Sequence, residues 1–272
     1  MEKMDILETD ADRQQRRNMV ISYFQKEVRI ILYLCHSFSL FQSCAVLLSF
    51  SPFFLASAAY FYLSTFDLPP SIILAGVKSA PTLLLAVTVL GWNGCQSVPG
   101  VVGGLVFSAL GDFCLVWPQF FLYGMAAFAM AHLLYSLTFL SSRYEKHSSS
   151  SCMYNIYKVL LAIGLSFFMY LYPFLQKKPN SKVLVPAVGV YVALITMMGI
   201  LAVRTRHLIT LLGSLFFIVS DMCLSLRQFI IPPVKLSETV VMLTYYLAQL
   251  LISVGDVMAV ENKNDFAKWK TS

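Results

Sequence analysis

The strongest constraint on this chain is an apolar stretch that occurs twice, in two copies that align with each other without a gap. Residues 104–120 read GLVFSALGDFCLVWPQF, and residues 213–229, which lie 109 positions later, read GSLFFIVSDMCLSLRQF. Seven positions are identical, and one of them holds an aspartate in both copies, Asp112 and Asp221. An ionisable side chain inside a membrane helix is costly, so each aspartate is a functional candidate by default. The duplication therefore predicts two related halves and a paired-carboxylate site.

The composition places both copies of this stretch in a membrane. Hydrophobic residues make up 58% of the chain and charged residues only 12%, and the mean hydropathy is +0.70. A soluble domain carries about 25% charged residues. The apolar runs have no alternating polar face, which excludes an outer-membrane barrel. Because a membrane helix needs roughly 20 apolar residues, we predict an all-α, polytopic bundle of about eight transmembrane helices with an internal repeat.

We divide the chain into three parts: an N-terminal tail with an extra apolar segment (1–48), an eight-helix membrane domain (49–260) and a polar C-terminal tail (261–272). Residues 28–47 form an optional further helix. The core helices are predicted at 50–66, 71–90, 98–117, 121–141, 155–173, 183–203, 207–228 and 238–259. Eight Lys and Arg residues lie on the side of the C-terminus and five on the other side, which favours a cytoplasmic C-terminus.

The third and seventh predicted helices carry the two aspartates at similar depth. These helices are four apart in the order, so they run in the same direction. A parallel four-helix repeat would bring the two aspartates face to face. In the third helix, Gly100, Gly104 and Ser108 precede Asp112 at intervals of four residues. Small residues at that spacing let another helix approach closely, so we expect Asp112 in a seam between helices.

Two carboxylates in a dry cleft cannot both ionise cheaply, so we expect one to hold a proton near neutral pH. A protonated carboxyl group beside a carboxylate can perform general acid–base catalysis, such as hydrolysis of an acetal-like bond through an oxocarbenium ion. The same pair would also serve a proton- or cation-coupled transporter. In a purely structural or receptor-like membrane protein, each aspartate would only pair within the bundle.

Seven further polar residues in or near the predicted spans are candidates for substrate binding: Lys78, His132, Tyr191, Arg227, Tyr245, Tyr246 and Gln249. Lys78 is the only lysine within a core span, and it pairs with an aspartate, holds a phosphate or extends to the membrane interface. Arg227, near a helix end, is a candidate contact for a lipid phosphate. Asp256 and Glu261 are expected to be solvated at the end of the last helix.

Other chemistries find little support in the sequence. The six cysteines form no CxxC pair and have no histidine at metal-ligand spacing, so we predict no metal site. No basic stripe with interleaved aromatic residues is present, which argues against nucleic acid as a partner. The net charge of +6 suits contact with anionic lipid headgroups. Assembly into a homo-oligomer stays open.

Five stretches resemble the YhhN-like family of integral membrane proteins. They are GLVFSALGDFCLVW, AxxxAHLLY (127–135), VGVYVAL (188–194), GSLFFIVSD (213–221) and TYYLAQLLI (244–252). They occur in the family's order, and the resemblance covers about residues 50–260. Residues 1–48 have no counterpart in the family's usual pattern.

The resemblance implies eight membrane helices and, as in the animal members, a lysoplasmalogenase of the endoplasmic reticulum membrane. Such an enzyme hydrolyses the vinyl ether bond of lysoplasmalogen, giving a fatty aldehyde and glycerophosphocholine or glycerophosphoethanolamine. The family's two essential aspartates would fall on Asp112 and Asp221. The implied reaction needs neither a metal nor an organic cofactor.

Overall fold

The computed structural model describes residues 48–66, 69–141, 144, 151–230 and 235–271, together with Asn18. The N-terminal tail and the optional helix at 28–47 lie outside these residues, apart from Asn18. The described chain is almost entirely helical and contains no strand, which confirms the all-α prediction.

Eight α-helices follow one another in this part of the chain: α1 (Ser51–Ser64), α2 (Ile72–Asn93), α3 (Gly103–Cys114), α4 (Phe121–Leu140), α5 (Ser151–Gln176), α6 (Ser181–Thr205), α7 (Leu208–Phe229) and α8 (Lys235–Thr271). A 3₁₀ turn (Gly94–Ser97) and a π turn (Val98–Val102) connect α2 to α3. α8 continues through residues 261–271, so the predicted polar tail is helical there.

Six segments of the described chain are long and apolar enough to cross a membrane: Ile72–Cys114, Pro118–Leu140, Met153–Gln176, Ser181–Thr205, Leu208–Phe229 and Ser237–Glu261. The chain is therefore a multi-pass membrane protein, although eight separate spans are not confirmed. The first segment contains both α2 and α3. α1 has only 14 residues and is about 21 Å long, less than the roughly 30 Å of hydrocarbon.

The chain reverses direction between α2 and α3. Gly94 ends α2 at φ +59°, a conformation that glycine adopts without steric cost, and Gly100 departs from helical geometry inside the π turn. The two helices then pack side by side, and Thr82 of α2 lies against Asp112 of α3. The first apolar segment is therefore a helical hairpin.

The packing of the helices repeats between the two halves of the described chain. α1 packs on α2, α2 on α3 and α3 on α4, and the same order holds from α5 to α8. Across the halves, α8 packs on α2 and α4 packs on α6. α8 runs parallel to α2, because it places Tyr246 beside Lys78 and Asp256 beside Asn93. Since neighbours along the chain are antiparallel, α3 and α7 run in the same direction, as the repeat predicts.

The small residues of α3 bring α4 close, as predicted. A Cβ added to Gly104 would overlap the ring of Tyr135, and Ser108 Oγ lies 3.5 Å from the hydroxyl of Tyr135. Gly213, the repeat counterpart of Gly104, meets α8 in the same way, because its added Cβ would lie 2.9 Å from the backbone nitrogen of Ile252. These close approaches bury the faces of α3 and α7 that carry the aspartates.

Candidate active site

Asp112 lies in a sealed seam between α2, α3 and α8, with 2% of its surface exposed. Its Oδ2 accepts a hydrogen bond from the Tyr245 hydroxyl at 2.6 Å and a longer one from Thr82 Oγ1 at 3.2 Å. Lys78 precedes Thr82 by one turn on the same face of α2, and its positive charge acts on Asp112. Two hydroxyl groups and one nearby cation therefore surround this carboxylate.

Asp221 is held by a different pair of donors. Its Oδ2 accepts a hydrogen bond from the hydroxyl of Tyr191 on α6 and lies 3.1 Å from Nε2 of His132 on α4. His132 has no exposed surface, and its Nδ1 lies 3.4 Å from the sulfur of Met198. A carboxylate against a buried imidazole forms a unit that can hold one proton.

The two sites are built on the same plan. Thr82 and Tyr191 stand at corresponding positions, 109 residues apart, like the aspartates themselves. Each aspartate also receives a partner from the last helix of the opposite half: α8 supplies Tyr245 to Asp112, and α4 supplies His132 to Asp221. Each half of the repeat therefore completes the site of the other half.

The aspartates do not share a hydrogen bond. The ring of Phe217 packs 5.5 Å from the ring of Tyr245 and 4.8 Å from that of His132, so it lies between the partners of the two carboxylates. The expected face-to-face pair is therefore two adjacent sites with an aromatic ring between their partners.

The second site opens into a cleft. This cleft lies between α5, α6 and α7, and Asp221 and Tyr191 are in its wall. The rest of the wall is largely apolar and includes Leu160, Phe167 and Ile218. Asp112 does not line this pocket.

The first half is closed by aromatic side chains. Tyr246 packs edge-on against Phe53, Tyr60 and Phe61 of α1, with ring centroids 5.6–6.2 Å apart. Its hydroxyl donates to the backbone carbonyl of Lys78 at 2.7 Å, so it joins α8 to α2. Tyr246 thus packs in the first half without contacting an aspartate through its hydroxyl.

Two other predicted residues are engaged elsewhere. Gln249 accepts a hydrogen bond from Tyr135 at 2.7 Å between α8 and α4, and its buried Nε2 has no partner in the described structure. Arg227 forms an ion pair with Glu238 at 2.8 Å, with both side chains partly exposed. Of the seven candidates, His132, Tyr191 and Tyr245 touch the aspartates, and Lys78 acts on Asp112 through its charge.

Asp256 corrects one expectation. It is completely buried rather than solvated, and its Oδ2 accepts hydrogen bonds from Ser97 at 2.6 Å and Asn93 at 2.9 Å. These contacts tie α8 to the turn between α2 and α3. Four apolar residues, 257–260, follow Asp256 and already indicate that it lies inside the apolar run. Thr82 was also missed, although the repeat offset from Tyr191 points to it.

No metal centre emerges from this geometry. Among the residues that the structure describes, no three His, Cys, Asp or Glu side chains are grouped to hold an ion. What the two sites can do chemically is store, donate and accept protons beside an apolar cleft.

Comparisons with known proteins identify the chain's relatives. The model of the YhhN family matches residues 73–255. A bovine protein (Bos taurus) named Lysoplasmalogenase TMEM86A is 34% identical over 79% of this chain and 91% of its own length. A pig protein (Sus scrofa) named Lysoplasmalogenase TMEM86B is 38% identical over 75% of this chain and 84% of its own length. The human protein named Lysoplasmalogenase TMEM86A is 32% identical over 77% and 89% of the two chains. No solved structure shows a significant match.

Proposed function

The chain belongs to the YhhN family, and we propose that it is a lysoplasmalogenase that uses two intramembrane aspartates for acid–base catalysis. It hydrolyses the vinyl ether bond of alkenyl-glycerophosphocholine or alkenyl-glycerophosphoethanolamine and releases a fatty aldehyde and the glycerophospho-alcohol. The observation that carries this proposal is an apolar cleft between membrane helices with the Asp221 carboxylate in its wall.

The chemistry needs only a proton and water. Protonation of the β-carbon of the vinyl ether leaves an oxocarbenium ion on the ether side. Water adds to this cation, and the resulting hemiacetal collapses to aldehyde and alcohol. One of Asp112 and Asp221 donates the proton, while the other stabilises the cation and activates the water.

The seven other polar residues take supporting roles in this proposal. His132, Tyr191 and Tyr245 orient the two carboxylates through the contacts described above. Lys78 and Arg227 are the two candidate contacts for the phosphate end of the substrate: Lys78 is buried beside Asp112, and Arg227 is partly exposed and would exchange its ion pair with Glu238 for the phosphate. Arg227 lies six residues beyond Asp221 on α7, about 9 Å along the helix axis, which suits a headgroup near the membrane interface. Tyr246 and Gln249 hold α8 against its neighbours beside the site.

The cellular setting forms part of the same proposal. We place the protein in the endoplasmic reticulum membrane as a multi-pass enzyme of ether-lipid metabolism. Its partners are the lipid substrate and membrane lipids rather than nucleic acid, and self-association is left to measurement of the oligomeric state.

The direct test is aldehyde release from alkenyl-lysophosphatidylethanolamine by purified, detergent-solubilised, full-length protein. We expect wild-type activity and a loss of at least about 100-fold in both Asp112→Asn and Asp221→Asn, in the range of general acid–base catalysis. Asp256→Asn is the matched control, because it changes a buried carboxylate outside the site. Full activity in both site variants, with the protein folded, would refute the carboxylate mechanism.

The alternative, a proton- or cation-coupled transporter, uses the same aspartates but is not favoured, because the relatives are named as hydrolases. Reconstitution in liposomes separates the two functions. Proton-coupled flux without any aldehyde release would support transport over hydrolysis.

A further inference from the structure

We propose that the alkenyl chain of the substrate lies in the cleft between α5, α6 and α7, and that Asp221 rather than Asp112 protonates the vinyl ether. This inference rests on the proposed function and adds to it a binding site for the hydrocarbon chain and a division of labour between the aspartates.

Access to the carboxylates is the first argument. Asp221 and Tyr191 line the cleft, whereas Asp112 is sealed between three helices and contributes nothing to the cleft wall. A proton donor must come within hydrogen-bonding reach of the atom that it protonates. Only Asp221 meets this requirement from the cleft.

The lining and position of the cleft fit a hydrocarbon chain. Its wall is built largely from aliphatic and aromatic side chains, with the polar atoms of Asp221 and Tyr191 among them. α5, which forms one side, is the least buried of the candidate spans and so lies at the periphery of the described bundle. A long chain can therefore enter from the surrounding lipid, with its vinyl ether at Asp221.

The partners of each aspartate supply the second argument. Asp221 has His132 as a neighbour, and an imidazole can hold a proton and pass it to the carboxylate at 3.1 Å. Asp112 instead accepts hydrogen bonds from two hydroxyl groups, those of Tyr245 and Thr82, and a hydroxyl does not take up a proton near neutral pH as an imidazole does. The hydrogen-bond partners of Asp221 therefore include a group that can resupply its proton, whereas those of Asp112 are two hydroxyls.

The proposed step balances without another reactant. Asp221 gives its proton to the β-carbon, the π electrons of the double bond form the new C–H bond, and the α-carbon and ether oxygen share the positive charge. Water attacks the α-carbon and returns one proton to Asp221. The hemiacetal then loses the glycerol oxygen, which leaves with the hydroxyl proton as an alcohol.

A glycine keeps the cleft open. Gly164 of α5 faces Thr196 of α6, and a Cβ at Gly164 would lie 2.5 Å from Thr196 Oγ1. Both residues line the pocket. A leucine at this position would fill the space between the two helices. Gly76 of α2 offers a matched control, because it is exposed and has no neighbour within 4 Å of an added Cβ.

The first experiment measures binding without cleavage. The probe is a saturated 1-O-alkyl-lysophosphatidylethanolamine with a diazirine on its alkyl chain, added to the full-length protein in detergent. We expect photolabelling of α5, α6 and α7, and at least about tenfold weaker labelling in Gly164→Leu than in wild type or Gly76→Leu. Labelling that stays on α1 to α3, or that Gly164→Leu leaves unchanged, would overturn the assignment of the cleft.

The second measurement separates the aspartates. Both Asp→Asn variants should keep the photolabel, which shows a folded site. Asp221→Asn should lose aldehyde release about 1,000-fold or more, and Asp112→Asn about 100-fold with KM little changed. An equal or larger loss in Asp112→Asn would overturn the assignment of the proton donor.

The two measurements also distinguish the inference from the proposed function. Labelling in the cleft without any aldehyde from wild type would refute the hydrolase and leave the hydrocarbon site standing. Aldehyde release from wild type with labelling outside the cleft would support the hydrolase and overturn the hydrocarbon site.

Discussion

The Asp112 and Asp221 sites occupy the same place in the two halves of the described fold, yet their surroundings differ. Each carboxylate receives a hydroxyl from the preceding helix in the chain, Thr82 in one half and Tyr191 in the other. The remaining partner differs, because Asp112 faces Tyr245 where Asp221 faces His132. The two copies of the carboxylate can therefore have different roles, because one has a tyrosine and the other a histidine as its second hydrogen-bond partner.

The difference extends to charge and access. Lys78 acts on Asp112, whereas the position 109 residues later is Ala187, so the second half has no lysine there. The first site is sealed, and the second opens into the cleft. One half therefore holds its carboxylate between two hydroxyl donors in a closed seam, while the other sets its carboxylate against an imidazole at the wall of a cleft.

Among the partners of the two aspartates, the largest effect is expected at His132. We expect His132→Gln and His132→Phe both to lower kcat about 100-fold with little change in KM, because the pair with Asp221 no longer stores a proton. Steady-state aldehyde release checks this. Removal of the hydroxyl that α8 donates to Asp112, by Tyr245→Phe, should cost less than tenfold. Rescue by the glutamine, which keeps an N–H donor, would instead assign His132 to orientation alone.

A smaller effect is expected for the hydroxyl groups on the preceding helices. Tyr191→Phe removes a donor to a carboxylate that we place at the substrate, and we expect about a tenfold loss of kcat/KM, in line with roughly 1.5 kcal/mol for a hydrogen bond to a charged group. Thr82→Val should lose about threefold or less, because its bond to Asp112 is long. A greater loss for Thr82→Val would contradict the division between the two sites.

The smallest effect on catalysis is expected from substitution of the glycines at which two helices come into close contact. These substitutions should change only the stability of the protein. Gly104→Ala and Gly213→Ala should each lower the free energy of unfolding by about 1–3 kcal/mol, because the added methyl group overpacks a closed seam. Thermal unfolding in detergent measures this. Gly76→Ala, with open space around it, should be neutral or slightly stabilising. Equal stability of all three variants would show that the seams relax freely.

Much of the architecture follows from patterns read along the chain. Composition predicts a helical membrane protein, because only a segment that satisfies its own backbone hydrogen bonds is stable in lipid. The repeat predicts two halves, parallel α3 and α7, and the buried aspartates Asp112 and Asp221. Gly100, Gly104 and Ser108 predict a close approach of another helix, and the tertiary structure shows that this helix is α4. The same offset of 109 could have located Thr82 from Tyr191.

Other features depend on which helix lies against which, and no pattern along the chain encodes that. Asp112 meets a tyrosine 133 residues away, and Asp221 meets a histidine 89 residues away. A polar residue on a helical face has the same local signature whether it meets lipid, a carboxylate or a carbonyl. For this reason the sequence predicts the adjacent residues Tyr245 and Tyr246 equally as binding candidates, although of the two only Tyr245 donates to an aspartate. For the same reason it predicts a solvated Asp256, although this side chain is buried. The carboxylate pair and the helical membrane fold are therefore local properties of this chain, whereas the open cleft at Asp221 and the sealed seam at Asp112 arise from long-range packing between the two halves.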